Sequence, residues 1–139
     1  MRTYTAILMA TALLAGCAQA QAPAPKAAPA AAARPLPAIA DTEPDVTTQV
    51  AALLGQLGAI APEQLSENAR TALGTPQQQQ MGAALRPCGK PPALELLSRT
   101  TKGEDRNYLY RAPCHAKPLL VEINFNKAAR VSHLAVRPE

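Results

Sequence analysis

The apolar residues of this chain change their spacing near residue 94. Before it they recur at helical intervals. Val46, Val50, Leu53, Leu54 and Leu57 fall on one stripe of a 3.6-residue period. Asp45 stands where it can cap that helix, and Gly58 where it can stop it. A second helix is expected from near Pro62, with Leu65, Ala69 and Leu73 on one face and Gly74 behind it. A third is expected from "TPQQ", with Thr75 as cap, Pro76 at the first helical position and Gln78 completing a capping box. Met81 and Leu85 then face inward, and Pro87 ends the helix. The glutamine run from Gln77 to Gln80 is just over one helical turn and reads as a solvated turn.

Beyond residue 94 the period is two. In "PLLVEINFN", Leu119, Val121, Ile123 and Phe125 alternate with Leu120, Glu122, Asn124 and Asn126, the pattern of a half-buried strand. "LELLSRTT" (94–101) and "NYLYRA" (107–112) read as two earlier strands joined by the turn "KGEDR". "VSHLAVR" (131–137) reads as a fourth, after a turn around Lys127 to Arg130. Short connections between consecutive strands predict an antiparallel meander. Helices followed by strands predict an α+β fold, with the helices packed on one face of a four-stranded sheet.

Alternation also divides the two faces. Tyr108 and Tyr110 are the more apolar set of their strand, so they join Val121 and Phe125 on the helix side. The other face then carries Leu97, Arg99, Leu109, Arg111, Leu120, Glu122, His133 and Arg137. Two readings of that mixed face stay open. One is a solvated surface with cross-strand Arg–Glu pairs, each worth roughly 0.2–1 kcal/mol. The other is a recognition surface, with Arg99, Arg111, Glu122 and His133 as candidate partner-binding residues.

Composition divides the chain into three. Met1 to Gly16 reads as an export signal: Arg2 supplies the positive start and "AILMATALL" a short apolar run. That run falls short of the ~20 residues needed to span a bilayer. It ends in two incompatible cleavage signals. Leu14-Ala15-Gly16-Cys17 is a lipobox that would leave a lipidated Cys17 as the first mature residue, and Ala18-Gln19-Ala20 is an A-x-A site that would release a soluble protein. Residues 17–44 form an Ala/Pro-rich tether. Its prolines interrupt helix, and at about 3.1 Å per residue it could reach on the order of 80 Å. Residues 45–139 form one small domain. With a single Phe and no Trp in the chain, its core must be mainly Leu, Val, Ile and Ala.

The chain has three cysteines, Cys17, Cys88 and Cys114. Either cut removes Cys17 from the count and leaves an even pair in an oxidising compartment, so a Cys88–Cys114 disulfide is expected. Inert thiols and a reactive thiol are the alternatives. Cys114 beside His115 admits a thiol enzyme, with His133 as a conceivable base. No C-x-x-C, H-x-x-x-H or acidic cluster supplies zinc-ligand spacing, and no metal or cofactor is expected. The net charge is +4, and from Arg86 onward ten Lys/Arg face five Asp/Glu. For an exported protein this points to anionic headgroups, lipopolysaccharide or an acidic protein rather than nucleic acid, with general solubility as the plain alternative.

The segments "APEQLSENARTALGTPQQQQMGAALRPCG" and "LELLSRTTKGEDRNYLYRAPCHAKPLLVEINFNKAARVSHLAVRP" resemble a family of small exported bacterial domains of unknown function. Domains of that family also occur next to serine hydrolases of the penicillin-binding type. The resemblance implies half of a cystatin-like or nuclear-transport-factor-like fold, in which a curved sheet wraps helices. No S-x-x-K or G-x-S-x-G motif accompanies it. The reading that follows is an outer-membrane lipoprotein facing the periplasm and carrying a non-catalytic binding module. It would meet the membrane through its lipid and an envelope protein through its domain. Its rivals are a periplasmic inhibitor or immunity protein against an envelope hydrolase, a thiol-dependent enzyme using Cys114, and a passive component of envelope assembly.

Overall fold

The computed structural model describes residues 34–139. The export signal, the lipobox with Cys17, the Ala18-Gln19-Ala20 site and the first part of the tether lie outside the described residues.

Helices precede strands, as the change of period predicts. The helices are α1 (Pro44–Gly55), α2 (Glu67–Ala72) and α3 (Thr75–Leu85). The strands are β1 (Glu95–Lys102), β2 (Asp105–Ala112), β3 (Leu119–Phe125) and β4 (Val131–Pro138). They form one antiparallel sheet in the order β1-β2-β3-β4, the expected meander. The fold is α+β. Gly103 lies at φ +64° in the two-residue turn between Lys102 and Asp105, the position where a glycine-first hairpin turn needs positive φ. The β3–β4 turn is fixed by Asn126, whose Oδ1 accepts from the backbone N–H groups of Ala128 and Arg130, both at 3.0 Å.

Local chemistry moves three helix starts. α1 begins at Pro44, not after Asp45, because proline suits the first helical position. Asp45 falls in the first turn, and Glu43 is the N-cap residue without a side-chain cap. Pro62–Gln64 is an isolated 3-10 turn. Leu65 is extended and bridges to Val131, and Ser66 N–H donates to Val131 O at 2.8 Å. The helix therefore starts only at Glu67, five residues after Pro62, with Ser66 Oγ accepting from Ala69 N–H at 3.2 Å. For α3 the N-cap is Gly74, so Thr75 is helical and no capping box forms.

Gln78 is instead the buried polar residue of the helical layer. Its Oε1 accepts from Gly58 N–H (3.1 Å) and Ile60 N–H (3.3 Å), and its Nε2 donates to Leu73 O (2.9 Å). The other three glutamines of the run are exposed. One core runs between the layers. Val50, Leu53 and Leu54 of α1, with Leu65, Ala69, Leu73 and Leu85, meet Tyr108, Tyr110, Val121, Ile123 and Phe125 of the sheet. The aromatic set is ordered: Tyr108 and Tyr110 stack at 6.1 Å, and Phe125 meets Tyr108 edge-on at 6.0 Å.

Cys88, just after α3, is disulfide-bonded to Cys114, just after β2, with their Cα atoms 4.3 Å apart. The bond ties the helical layer to the sheet, as the even count of domain cysteines predicts.

The end of the sequence-read tether is engaged with this domain. Arg111 Nη2 donates to Leu36 O at 2.7 Å, Ile39 N–H donates to Leu96 O at 2.8 Å, and Glu43 reaches Arg99 on the helix side. Residues 36–43 thus strap the free edge of β1 and cross from one face of the sheet to the other.

Candidate functional site

The strap explains where the tyrosine hydroxyls go. Tyr108 Oη donates to Glu43 Oε2 at 2.9 Å. Thr47 Oγ1 donates to Asp41 Oδ2 at 2.6 Å, which uses its single proton and leaves Tyr110 Oη as donor across the 3.1 Å to Thr47. Burial first, and then the Glu43 carboxylate, push the Tyr108 phenol pKa up. Burial also raises that of Tyr110. Asp41 and Glu43 were legible only as a break in the Ala/Pro composition, the "DTEPD" that leads into α1.

Two of the four candidate binding residues serve the fold. Arg99 is not on the outer face. A bulge between Leu96 and Ser98 shifts the register, so Arg99 stands opposite Tyr108 and its Nε pairs with Glu43 Oε2 at 2.8 Å. Leu96 joins the core, and the bulged Leu97 is buried outside it. Arg111 does lie on the outer face but is clasped there. Its Nε donates to Glu139 Oε2 at 2.8 Å, its Nη2 to Glu139 Oε1 and to Leu36 O, and its Nη1 to Glu95 Oε2 at 3.3 Å. Hydrogen bonding to Glu139 raises the Arg111 pKa further, and the same bond holds the Glu139 carboxyl below its usual range. Glu122 lies on the strand next to that of Arg111, on the same outer face and opposite Leu109.

The outer face is best read as rows across the strands. Near the hairpin turns, Thr100, Asn107, Asn124 and His133 stand in one register line. The next line is Ser98, Leu109, Glu122 and Ala135, and the last is Glu95, Arg111, Leu120 and Arg137. Adjacent members are roughly 4.8 Å apart across the sheet. Asn124 is half-buried, and its Oδ1 has no hydrogen-bond partner among the described residues. Charge on this face is nearly balanced: Lys102 opposes Asp105, Glu95 and Glu139 hold Arg111, and Glu122 and Arg137 remain. The sequence placed His133 and Glu122 here. It missed Asn107 and Asn124 as a pair, because only register aligns them.

Two open clefts lie at the other end of the molecule. One of about 470 Å³ lies between the end of α1 and α3, with Arg86 and Lys90 at its edge, and one of about 530 Å³ surrounds the disulfide beside His115. Arg86 is the C-cap residue of α3, where a cation suits the partial negative charge of the helix end. At the second, both sulfurs are bonded, so Cys114 offers no thiolate. His133 is also far from it. Cys114 follows the end of β2 that lies level with Pro138, and five residues of β4 separate His133 from that end, roughly 16 Å along the strands. Among the described residues no group of three or more His, Cys, Asp or Glu could hold a metal ion, and no helix is long and apolar enough to cross a membrane.

No protein-family model, curated protein or solved structure matches the chain.

Proposed function

We propose that the chain is an envelope lipoprotein, anchored through Cys17, that presents a non-catalytic binding module to the periplasm. The observation that carries this reading is the disposition of its three cysteines. Cys88 and Cys114 form the staple of the domain, which leaves Cys17 alone, at the end of a short apolar run and in a lipobox. A disulfide is favoured where export has placed the chain. The same bond takes the nucleophile from the thiol-enzyme alternative. Leu36–Glu43 grips the sheet edge, so the tether leaves a braced domain rather than a loose one. The binding surface we assign is the outer sheet face around Asn107, Glu122, Asn124 and His133, which the three helices do not cover.

Metabolic palmitate labelling tests the anchor: wild type takes up label and Cys17→Ser does not. Equal labelling of the two would refute it. For the surface, a photo-crosslinking residue at Leu109 should capture an envelope component that the same probe at Lys127, in the exposed turn, does not. Identical capture from both positions would place binding elsewhere.

A further inference from the structure

Charge is unevenly divided along the strands. One end of the domain gathers the start of β1, the end of β2, the start of β3 and the end of β4, because Glu95, Arg111, Leu120 and Arg137 share one register line. The disulfide brings the segment around Cys88 to the same end, where Arg86 and His115 line one cleft beside the bond. Residues 34–36, 86–95, 111–120 and 136–139 together carry six Lys/Arg (Arg34, Arg86, Lys90, Arg111, Lys117 and Arg137) and two carboxylates, Glu95 and Glu139. Both carboxylates hold Arg111. The other five cations are exposed and take part in no ion pair among the described residues, and no Asp or Glu precedes Asp41 in the sequence. The rest of residues 34–139 carries six Lys/Arg against eight Asp/Glu. β2 is eight residues long, which sets the far hairpin turn about 25 Å away, well beyond the ~8 Å reach of an exposed charge in physiological salt. The positive excess thus belongs to one end and acts there.

Two further observations bear on what this end faces. The strap starts here: Leu36 O is held by Arg111, so the segment that leads back to Cys17 joins the domain beside the cations. Leu36 and Ile39 are also the exposed large hydrophobic residues among the described ones, Leu36 at Arg111 and Ile39 against Leu96, one residue further along β1 than Glu95. Cations beside exposed aliphatic side chains are the combination that settles a protein surface on an anionic bilayer. A protein partner finds no aromatic anchor here, since Tyr108, Tyr110 and Phe125 all face the helices.

We propose that this end is a membrane-docking surface for anionic phospholipid headgroups. It turns the tether side of the domain toward the bilayer and holds the hairpin turns, with Asn107, Asn124 and His133 near them, away from it. This proposal rests on the reading of the chain as a lipoprotein anchored through Cys17.

The test is vesicle co-sedimentation of the mature chain from residue 17, with Cys17→Ser so that no lipid is attached. The vesicles are phosphatidylcholine alone, or phosphatidylcholine with about a third phosphatidylglycerol. Binding should require the anionic lipid and be lost on raising salt from about 0.02 M to about 0.3 M. A Lys or Arg near an anionic surface is worth about a fivefold change in partition, so Lys90→Gln with Lys117→Gln should weaken binding about 25-fold. Lys102→Gln with Arg130→Gln removes the same charge from the hairpin end and should change binding less than about twofold. All four side chains are exposed, so neither double variant should lower the melting temperature appreciably. The proposal is overturned if both lipid mixtures bind alike, if neither binds, or if the two double variants lose binding equally. Polyglutamate binding without vesicle binding would give the end to an acidic protein partner instead. Palmitate labelling at Cys17 does not depend on any of these outcomes, so the anchor and the docking surface can fail separately.

Discussion

Tyr108 and Asn124 stand on adjacent strands, one on each face of the sheet, and their polar atoms meet opposite fates. The Tyr108 hydroxyl is buried yet partnered, through a carboxylate brought from 65 residues earlier in the chain. The Asn124 oxygen is buried and unpartnered. Most of the helix side follows Tyr108, although Gln64 Oε1 in the 3-10 turn is also buried without a partner among the described residues. On the helix side, Tyr110, Arg99 and Gln78 each have specific partners, and the Cys88–Cys114 bond closes the layer covalently. On the outer side, among the described residues, only the row at Arg111 is held by ion pairs. Buried polar groups that are satisfied serve the fold, and a group left open is a candidate for something outside it. Substitutions on the two faces should therefore separate by size.

The largest effect belongs to the staple. The loop closed by Cys88 and Cys114 spans 26 residues, for which chain entropy gives roughly 3.5 kcal/mol. That is a large share of a typical total of about 5–15 kcal/mol. Cys88→Ser, or reduction, should lower the melting temperature by well over ten degrees, read by calorimetry with and without reductant. Unchanged melting in protein whose mass shows two free thiols would remove the covalent half of the contrast.

Gln78→Ala comes next. It strands the N–H groups of Gly58 and Ile60 and the carbonyl of Leu73 in the helical layer, at a cost of about 3 kcal/mol. Urea denaturation measures it. A change below about 1 kcal/mol would mean that water replaces the side chain, and that the helical layer is less closed than its burial indicates.

Much of this architecture could be read from the residues, and the failures have physical causes. Period gave the strands and the side of Tyr108, Tyr110, Val121 and Phe125, because β2 and β3 bury one face against the helices and keep their alternation. Arg99 was lost at the bulge, since one extra residue inverts parity and leaves no trace in composition. Gln78 looked like its neighbours in a glutamine run, although helical rotation turns that one residue inward. The strap was hidden because its contacts are long-range, Leu36 with Arg111 and Glu43 with Tyr108. Of the proposed face, Glu122 and His133 could be named in advance, but the Asn107–Asn124 line exists only once register is fixed.

Glu43→Ala should have an intermediate effect, about 1.5 kcal/mol, because it removes the acceptor of Tyr108 and the partner of Arg99 at a partly exposed position. Its pH signature is more telling. The folded pKa values of Tyr108 and Tyr110 lie above the ordinary value of 10.0. The stability they contribute is thus complete below that value and is lost as pH rises through the folded ones. Tyrosinate absorbance should lag that of free tyrosine in the intact protein, and by less in Glu43→Ala. An identical titration would show that the strap does not hold the Tyr108 hydroxyl.

The smallest expected effect is the one on which the contrast depends. Glu122→Lys and His133→Glu alter the outer face at positions that are half-buried and exposed, and neither residue takes part in an ion pair among the described residues. Each should change stability by no more than about 0.5 kcal/mol. Capture through the Leu109 probe should fall sharply in the double variant, because one substitution reverses a charge next to the probe and the other puts a carboxylate in the row beside it. Arg111→Gln is the internal control: it lies on the same face, yet it breaks the clasp to Glu95, Glu139 and Leu36 and should destabilise more than either. If Glu122→Lys proves as costly as Arg111→Gln, the outer face is part of the structural scaffold and its open row is not a binding surface. If both outer variants melt like wild type and capture is lost, recognition resides in the open part of the outer face, apart from the groups that hold the fold.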